Sequence, residues 1–295
     1  MSEFLQRIGV ELPVVQAGMG GGLSGSELAA ARRLTGRPIA VNLLLPFARR
    51  GHFEAAEAAD VVVTFWGRPR RRVGGTWIHQ AGSVEEARAA REAGADAVIA
   101  QGVEAGGHVR GTVPAAELLE RVRAAVGPGY PVLSAGGIVD AADVSSRLDA
   151  GAEAIVSGTR FLMSEESGAH PAYKERLTGA RETLLTQLFG MGWPAPHRVV
   201  PNAATERWTA GDRRGPGWVR AVQRATAPAL SRLPVPVQQR VASTQRADRP
   251  VFGPAAATSE RSANLVDAGP LYAGECIARI DDVRPAAELV RELAP

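Results

Sequence analysis

Residues 131–162 read PVLSAGGIVDAADVSSRLDAGAEAIVSGTRFL. A short apolar run, Pro131–Ala135, ends in Gly136 and Gly137. The segment Ala141–Ala150 follows, with Asp140 before it and Gly151 after it, the pattern of a capped helix. A second apolar run, Ala154–Ser157, again ends in glycine, at Gly158, and Thr159 comes next. Strand, helix and strand joined by short links imply parallel strands with a right-handed crossover. Glycine at both strand ends lets backbone approach a ligand closely, because no Cβ stands in the way. Helix N-termini beside such glycines offer N–H groups to a phosphate, and Thr159 adds a hydroxyl.

The same unit recurs upstream. Candidate strands are Pro13–Ala17, Ile39–Leu45, Val61–Trp66, Gly75–Gln80 and Asp96–Gln101, besides the two just described. Candidate helices are Ser24–Leu34, Ser83–Ala93 and Ala115–Val126. Ser83 followed by Glu85 and Glu86 is a helix start with acids in its first turn. Five strands end in glycine or polar residues: at Gly18-Met19, Asn42, Gln101-Gly102, Gly136-Gly137 and Ser157-Gly158-Thr159. A closed parallel barrel gathers all such ends on one face, where its chemistry sits. A doubly wound sheet would gather them only at its switch point. The spread favours the barrel.

The run DAVIAQGVEAGGHVRG, residues 96–111, puts glycines and one imidazole directly after a strand. His108 is the side chain type that accepts a proton near neutral pH. This reads as a ligand plane with a base beside it; the alternative is a glycine-rich turn with a surface histidine. His79 lies at a strand end and could support a site from behind. His52, His170 and His197 read as structural or exposed.

Composition narrows the classes. The 34 basic groups barely outnumber the 31 acidic ones, which does not suggest nucleic-acid binding. Cys276 is the only cysteine, so neither an internal disulfide nor a cysteine-rich metal site is available. No apolar run approaches the ~18 residues of a membrane span. With no leader pattern at the start, a cytoplasmic location is the expectation. After residue 163 the texture changes. Helices are expected near Glu166–Leu177, Arg181–Phe189, Gly217–Ala225 and Val235–Val241. Between Arg198 and Arg249 ten arginines face only Glu206, Asp212 and Asp248, which suits a solvated helical appendage or a positive lid. The tail 285–293 reads as an amphipathic helix. The expected organisation is a barrel over 1–200, an insertion or lid over 201–265, and a returning segment over 266–295.

Four stretches together carry a resemblance: PVVQAGMGGGLS at 13–24, AVNLLLP at 40–46, the 96–111 run, and SAGGIVDAADV with LDAGAEAIVSGTRFLMSEES within 134–167. They resemble the nitronate monooxygenase family, formerly called 2-nitropropane dioxygenases, whose superfamily includes FMN-dependent enoyl-acyl-carrier-protein reductases. The likeness covers most of residues 10–200 and returns at 270–290.

The resemblance implies an α/β fold, a TIM-barrel-like (β/α) barrel that binds FMN without covalent attachment. By position, Gly18 and Met19 would lie along the isoalloxazine. Asn42 and Gln101 would hydrogen-bond the flavin or its ribityl chain. Gly106, Gly136, Gly137, Ser157, Gly158 and Thr159 would surround the phosphate, and His108 matches the catalytic histidine. The implied substrates are a nitronate or nitroalkane and O2, the products a carbonyl compound and nitrite, and a homodimer is compatible. An NAD(P)H-dependent enoyl-thioester reductase and a flavin-binding barrel without turnover are the rivals. The chain departs from the family in two connections. Ala29–Thr35 runs almost straight into Pro38-Ile39-Ala40, and Arg68–Gly75 is too short for a full helix. One strand–helix unit is therefore expected to be shortened or missing, leaving the barrel with fewer strands or open near residues 31–40.

Overall fold

The structure is a computed structural model that describes residues 2–19, 25–67, 73–230, 237, 240 and 244–295. The helix start at Ser24, the middle of the 67–75 connection and most of the expected Val235–Val241 helix lie outside the described residues. In chain order the strands are β1 (Val14–Gln16), β2 (Ala40–Leu44), β3 (Val61–Phe65), β4 (Thr76–Ala81), β5 (Ala97–Gln101), β6 (Gly107–His108), β7 (Val132–Ala135), β8 (Ile155–Ser157), β9 (Leu184–Thr186), β10 (His197–Val200) and β11 (Leu271–Tyr272). They fall into two compact units. The first holds Met1–Val103, Arg110–Ser157 and Val290–Pro295; the second holds Glu104–Val109 and Gly158–Leu289.

In the first unit seven parallel strands form one curled sheet, in the order β1-β8-β7-β5-β4-β3-β2. All seven coincide with the strands expected from sequence. Side chains alternate between two faces, as the two-residue period of a strand requires. On the inner face Val15, Val63, Ile78, Ile99, Leu133 and Val156 pack together. Phe4, Leu5 and Ile8, from the N-terminal helix Glu3–Arg7 and its cap, join that cluster. On the outer face Trp77, Val98 and Val132 meet Ala87 and Ala90 of helix Val84–Glu92 and Leu118, Leu119 and Val122 of helix Ala115–Val126. Each large apolar side chain buried this way contributes about 1.5–3 kcal/mol. The helix starts follow their caps: Ser83 Oγ accepts from Glu86 N at 3.2 Å, and Asp140 Oδ1 accepts from Asp143 N at 3.0 Å.

The missing unit is where the sequence places it. Helix Gly25–Leu34 is followed by residues 35–39, which lead directly into β2 with no strand among the described residues between them. Arg32 and the Ile39 amide both hydrogen-bond Asp60 Oδ2, at 2.5 and 2.7 Å, and so tie down this short passage. Consequently β1 pairs only with β8 and β2 only with β3 among the described residues. The two edges nevertheless come close through glycines. A Cβ at Gly9 would stand 2.5 Å from Pro38 Cγ, and one at Gly18 would stand 2.5 Å from Asn42 Nδ2. The sheet closes on a seam of side-chain contact instead of a ladder.

The second unit is built differently. β10 is the centre of a small antiparallel sheet, with β6, β9 and β11 as partners. Val199 opposes both Leu184 of β9 and Tyr272 of β11, and His197 opposes both Thr186 and His108. A residue has two edges, so β9 lines one side of β10 while β6 and β11 share the other. Segment Arg181–Phe189, expected to be helical, is a strand and turn here. Leu184 and Thr186 are buried, and long-range pairing with β10 overrides local helix preference. Helix Pro171–Thr178 starts later than expected, capped by His170 Nδ1. Helices Ala203–Thr209 and Gly217–Leu230 follow, and Leu188, Phe189, Val199, Ala204 and Phe252 form the core. Helix Ala286–Leu293 ends the chain as expected. No helix among the described residues is long and apolar enough to cross a membrane.

Candidate active site

Each expected site residue is placed by an element of its own unit. In the first unit Gly18 and Met19 follow β1 and are exposed. Asn42 stands opposite Val63 in the register, so it shares the inner face of the sheet. Its Oδ1 is buried with no hydrogen-bond partner among the described residues. A buried acceptor left unmade costs about 1–3 kcal/mol, so this atom calls for a donor from a ligand. Gln101 ends β5 and is buried; its Oε1 accepts from Arg110 N at 3.1 Å. Gly136 and Gly137 follow β7 with φ of 120° and 79°. Only glycine holds such a pair without strain, and the result is bare backbone at the strand end.

Ser157 behaves otherwise. It is buried, and its hydroxyl donates to Ile138 O at 3.4 Å. That bond ties the end of β8 to the loop after β7.

In the second unit Gly158 caps the short helix Thr159–Leu162. Thr159 Oγ1 accepts from Gly274 N at 2.9 Å. Gly106 packs against the same segment: a Cβ there would meet Gly274 N at 2.5 Å. The run before His108 thus lies flat on residues 273–274 because it carries no side chain at that point.

His108 sits on β6 among aromatic rings. Trp193 stacks on it at 3.7 Å between centroids and 22° between planes. His197 and Tyr272 approach at 5.4 and 5.5 Å. Burial, with neighbouring His197 adding to it, holds its pKa well below the usual histidine value. The ring is therefore neutral at physiological pH, the state a proton acceptor needs, although it is a weaker base than a free imidazole. His197 is locked: Nδ1 bonds Ala195 O at 2.9 Å and Nε2 accepts from Phe189 N at 3.3 Å. Its pKa is pushed down to about 4 by burial, so its role is structural, as read from sequence. His79 is also buried, joined through Nδ1 to Thr64 Oγ1 at 2.8 Å, which in turn accepts from Trp77 Nε1. Trp193, His197 and Tyr272 were not expected around His108. They arrive by long-range strand pairing, and no local pattern announces that.

A family model described as nitronate monooxygenase matches residues 53–295. The chain is 33% identical over 253 residues to a (3aS,4S,5R,7aS)-5-hydroxy-7a-methyl-1-oxo-octahydro-1H-indene-4-carboxyl-CoA dehydrogenase of Mycobacterium tuberculosis, covering 70% of this chain and 68% of that one. It is 45% identical over 131 residues to a nitronate monooxygenase of Pseudomonas aeruginosa; this stretch covers 41% of this chain and only 37% of that enzyme. Among solved structures, FabK from Thermotoga maritima superposes with a TM-score of 0.75 at 25% identity, covering 99% of this chain and 94% of that one. A nitroalkane oxidase from Streptomyces ansochromogenes gives 0.73 at 27%, covering 99% and 96%.

Proposed function

The chain belongs to the nitronate monooxygenase family, whose members are flavin-dependent oxidoreductases, and on that premise we propose that it oxidises alkyl nitronates with O2, giving a carbonyl compound and nitrite, with FMN as its flavin. The observation that carries the reading is His108: a half-buried imidazole on β6, stacked on Trp193, its pKa held well below the usual histidine value. Bound flavin supplies the redox chemistry, which no side chain here can provide.

The chain's own residues fit that cofactor in part. The unpartnered Oδ1 of Asn42, with Gln101 at the end of β5 and exposed Gly18 and Met19, would serve the ring system and ribityl chain. By the family resemblance, the backbone at Gly136 and Gly137 would serve the phosphate, and the same resemblance gives that role to Gly158 and Thr159 of the second unit. Ser157 and Gly106 would act through packing, because their surroundings already use them.

His108 takes the α-proton when the substrate arrives as a neutral nitroalkane. A nitronate has lost that proton already. Because burial weakens His108 as a base, the favoured substrate is the pre-formed nitronate. The substrates are thus small anions and O2.

The second reading is a reductase or dehydrogenase acting on a thioester with NAD(P)H. It is favoured by the likeness to the M. tuberculosis carboxyl-CoA dehydrogenase and to FabK. Oxygen uptake with ethyl nitronate supports the first reading. Anaerobic bleaching of the flavin by NADPH, without oxygen uptake on any nitronate, replaces it with the second.

A further inference from the structure

Residues 104–109 are an excursion. The chain leaves the first unit after Val103, carries His108, and re-enters at Arg110. Where it re-enters, the fit is unusually close. A Cβ at Gly82 would stand 2.5 Å from both the carbonyl carbon and the Cβ of Arg110. One at Gly111 would collide with Gln101 O and stand 2.8 Å from the Gly102 carbonyl carbon. Two glycines thus admit the returning chain between the ends of β4 and β5. Backbone bonds finish the neck: Val103 N donates to Val113 O at 2.9 Å, and Arg110 N to Gln101 Oε1 at 3.1 Å.

The Arg110 side chain is held from two further directions. Its guanidinium pairs with Glu86, whose other oxygen accepts from Gly82 N at 2.9 Å. Its carbon centre lies 4.9 Å over the ring of Trp66. Trp66 follows β3 with φ of 69°, the left-handed region, and is alone among described non-glycine residues in doing so. Such a backbone is strained and persists only where surroundings over-determine it. The Glu86 side chain is 9% exposed and that of Arg110 32%, so the pair is largely withdrawn from water. Three successive strand ends therefore converge on one arginine.

We propose that Arg110 is a positioning residue for His108: the Trp66–Arg110–Glu86 clamp, with Gly82 and Gln101, fixes the return limb of the excursion and through it the stacking of His108 on Trp193. The inference rests on His108 being the base of the proposed function. The leverage is short. Arg110 is only two positions beyond His108, a reach of roughly 7 Å, so a displaced anchor moves the ring. A planar guanidinium can stack on Trp66 and hydrogen-bond Glu86 together, which an ammonium cannot do in the same geometry.

The test uses the flavin-loaded protein with histidine-selective isotope labelling. The chain has only five histidines, and His108→Asn identifies the His108 ring resonance. Stacking on Trp193 places that resonance upfield by ring current. Arg110→Ala should move it toward the position of free histidine, and Arg110→Lys should move it part of the way. Turnover of neutral nitroethane should fall about 10²-fold, the usual result of a misplacement near 1 Å, with turnover of ethyl nitronate falling far less. Glu86→Gln should repeat the pattern at smaller size. An unmoved His108 resonance in folded Arg110→Ala overturns the proposal. So does a parallel loss of both turnovers with loss of flavin. If Arg110→Ala does not fold, Arg110→Lys decides: its resonance must shift. Should the unaltered protein turn over neither substrate, the function is refuted, and the resonance alone then judges the clamp.

Discussion

The seam between β1 and β2 and the neck of the 104–109 excursion use one device for opposite ends. Both press chain against chain at glycines. At the seam, Gly9 meets the Pro38 ring and Gly18 meets the Asn42 side chain, and no ladder hydrogen bond joins the strands among the described residues. At the neck, Gly82 and Gly111 meet backbone, and hydrogen bonds and an ion pair lock the contact. Side-chain atoms can yield; backbone held by its neighbours cannot. The seam should therefore be compliant and the neck stiff. A seven-stranded sheet tolerates the first because its missing strand is replaced by contact alone. The role proposed for His108 requires the second.

The sharpest way to break this contrast is a methyl group. Gly111→Ala drives a Cβ into Gln101 O and the Gly102 carbonyl, which the β5 pairing holds in place; it should cost 3 kcal/mol or more, at the upper end of overpacking effects. Urea denaturation measures this, and a loss under about 1 kcal/mol would remove the claim of stiffness. A pH series probes the surroundings of the neck next. His79 is pushed to about 4 by burial and by the charge of Arg110. A histidine whose folded pKa lies below its unfolded value of about 6.5 contributes stability above pH 6.5 and loses it as the pH falls toward 4. The loss is on the order of 3 kcal/mol for His79, and similar for His197, which burial also places at about 4. His79→Gln should flatten the fall in the urea midpoint between pH 7 and 5 by about a third, since His108 and His197 are lowered as well. An unchanged slope would mean that His79 titrates normally.

Smaller effects belong to the seam. Gly18→Ala meets only the movable Asn42 side chain, so about 1–2 kcal/mol is expected, together with weaker flavin retention during gel filtration. A stability loss as large as that of Gly111→Ala would erase the distinction between the two regions. Asn42→Ala should be nearly neutral for stability, since it deletes an acceptor that has no partner, yet lower flavin affinity about tenfold, the equivalent of one hydrogen bond. Flavin fluorescence titration reads this directly, and unchanged affinity would take Asn42 out of the cofactor site.

How much of this was written in the sequence depends on the range of the interaction. The seven parallel strands were recognisable because each is an apolar run closed by glycine or a polar residue, and because Ser83 and Asp140 mark their helices locally. The short run from Leu34 to Ile39 revealed the absent unit for the same reason: it is a length, read along the chain. The second unit resisted. β6, β9, β10 and β11 are two to four residues each and exist through pairings such as His108 with His197 and Val199 with Tyr272. Arg181–Phe189 therefore read as helix. In the site, His108 stood out by its motif, whereas Trp193 and Tyr272 had nothing to connect them with it. Glu86 read as an acid in a helix's first turn, which it is, and nothing local tied it to Arg110.

The seam also has a consequence for synthesis. Strands β2 to β5 meet their partners in the order in which the chain emerges, and β7 then adds to β5. β1 cannot: its register places Val14 beside Ile155, so the first strand made must wait for the last one of the sheet. Until then Phe4, Leu5 and Ile8 have an unfinished inner face to pack against. Closing so long a loop late is slow. Within residues 1–157 the N-terminal residues should thus be the last to gain protection from proteases on the ribosome, well after the β3–β5 arc has gained it.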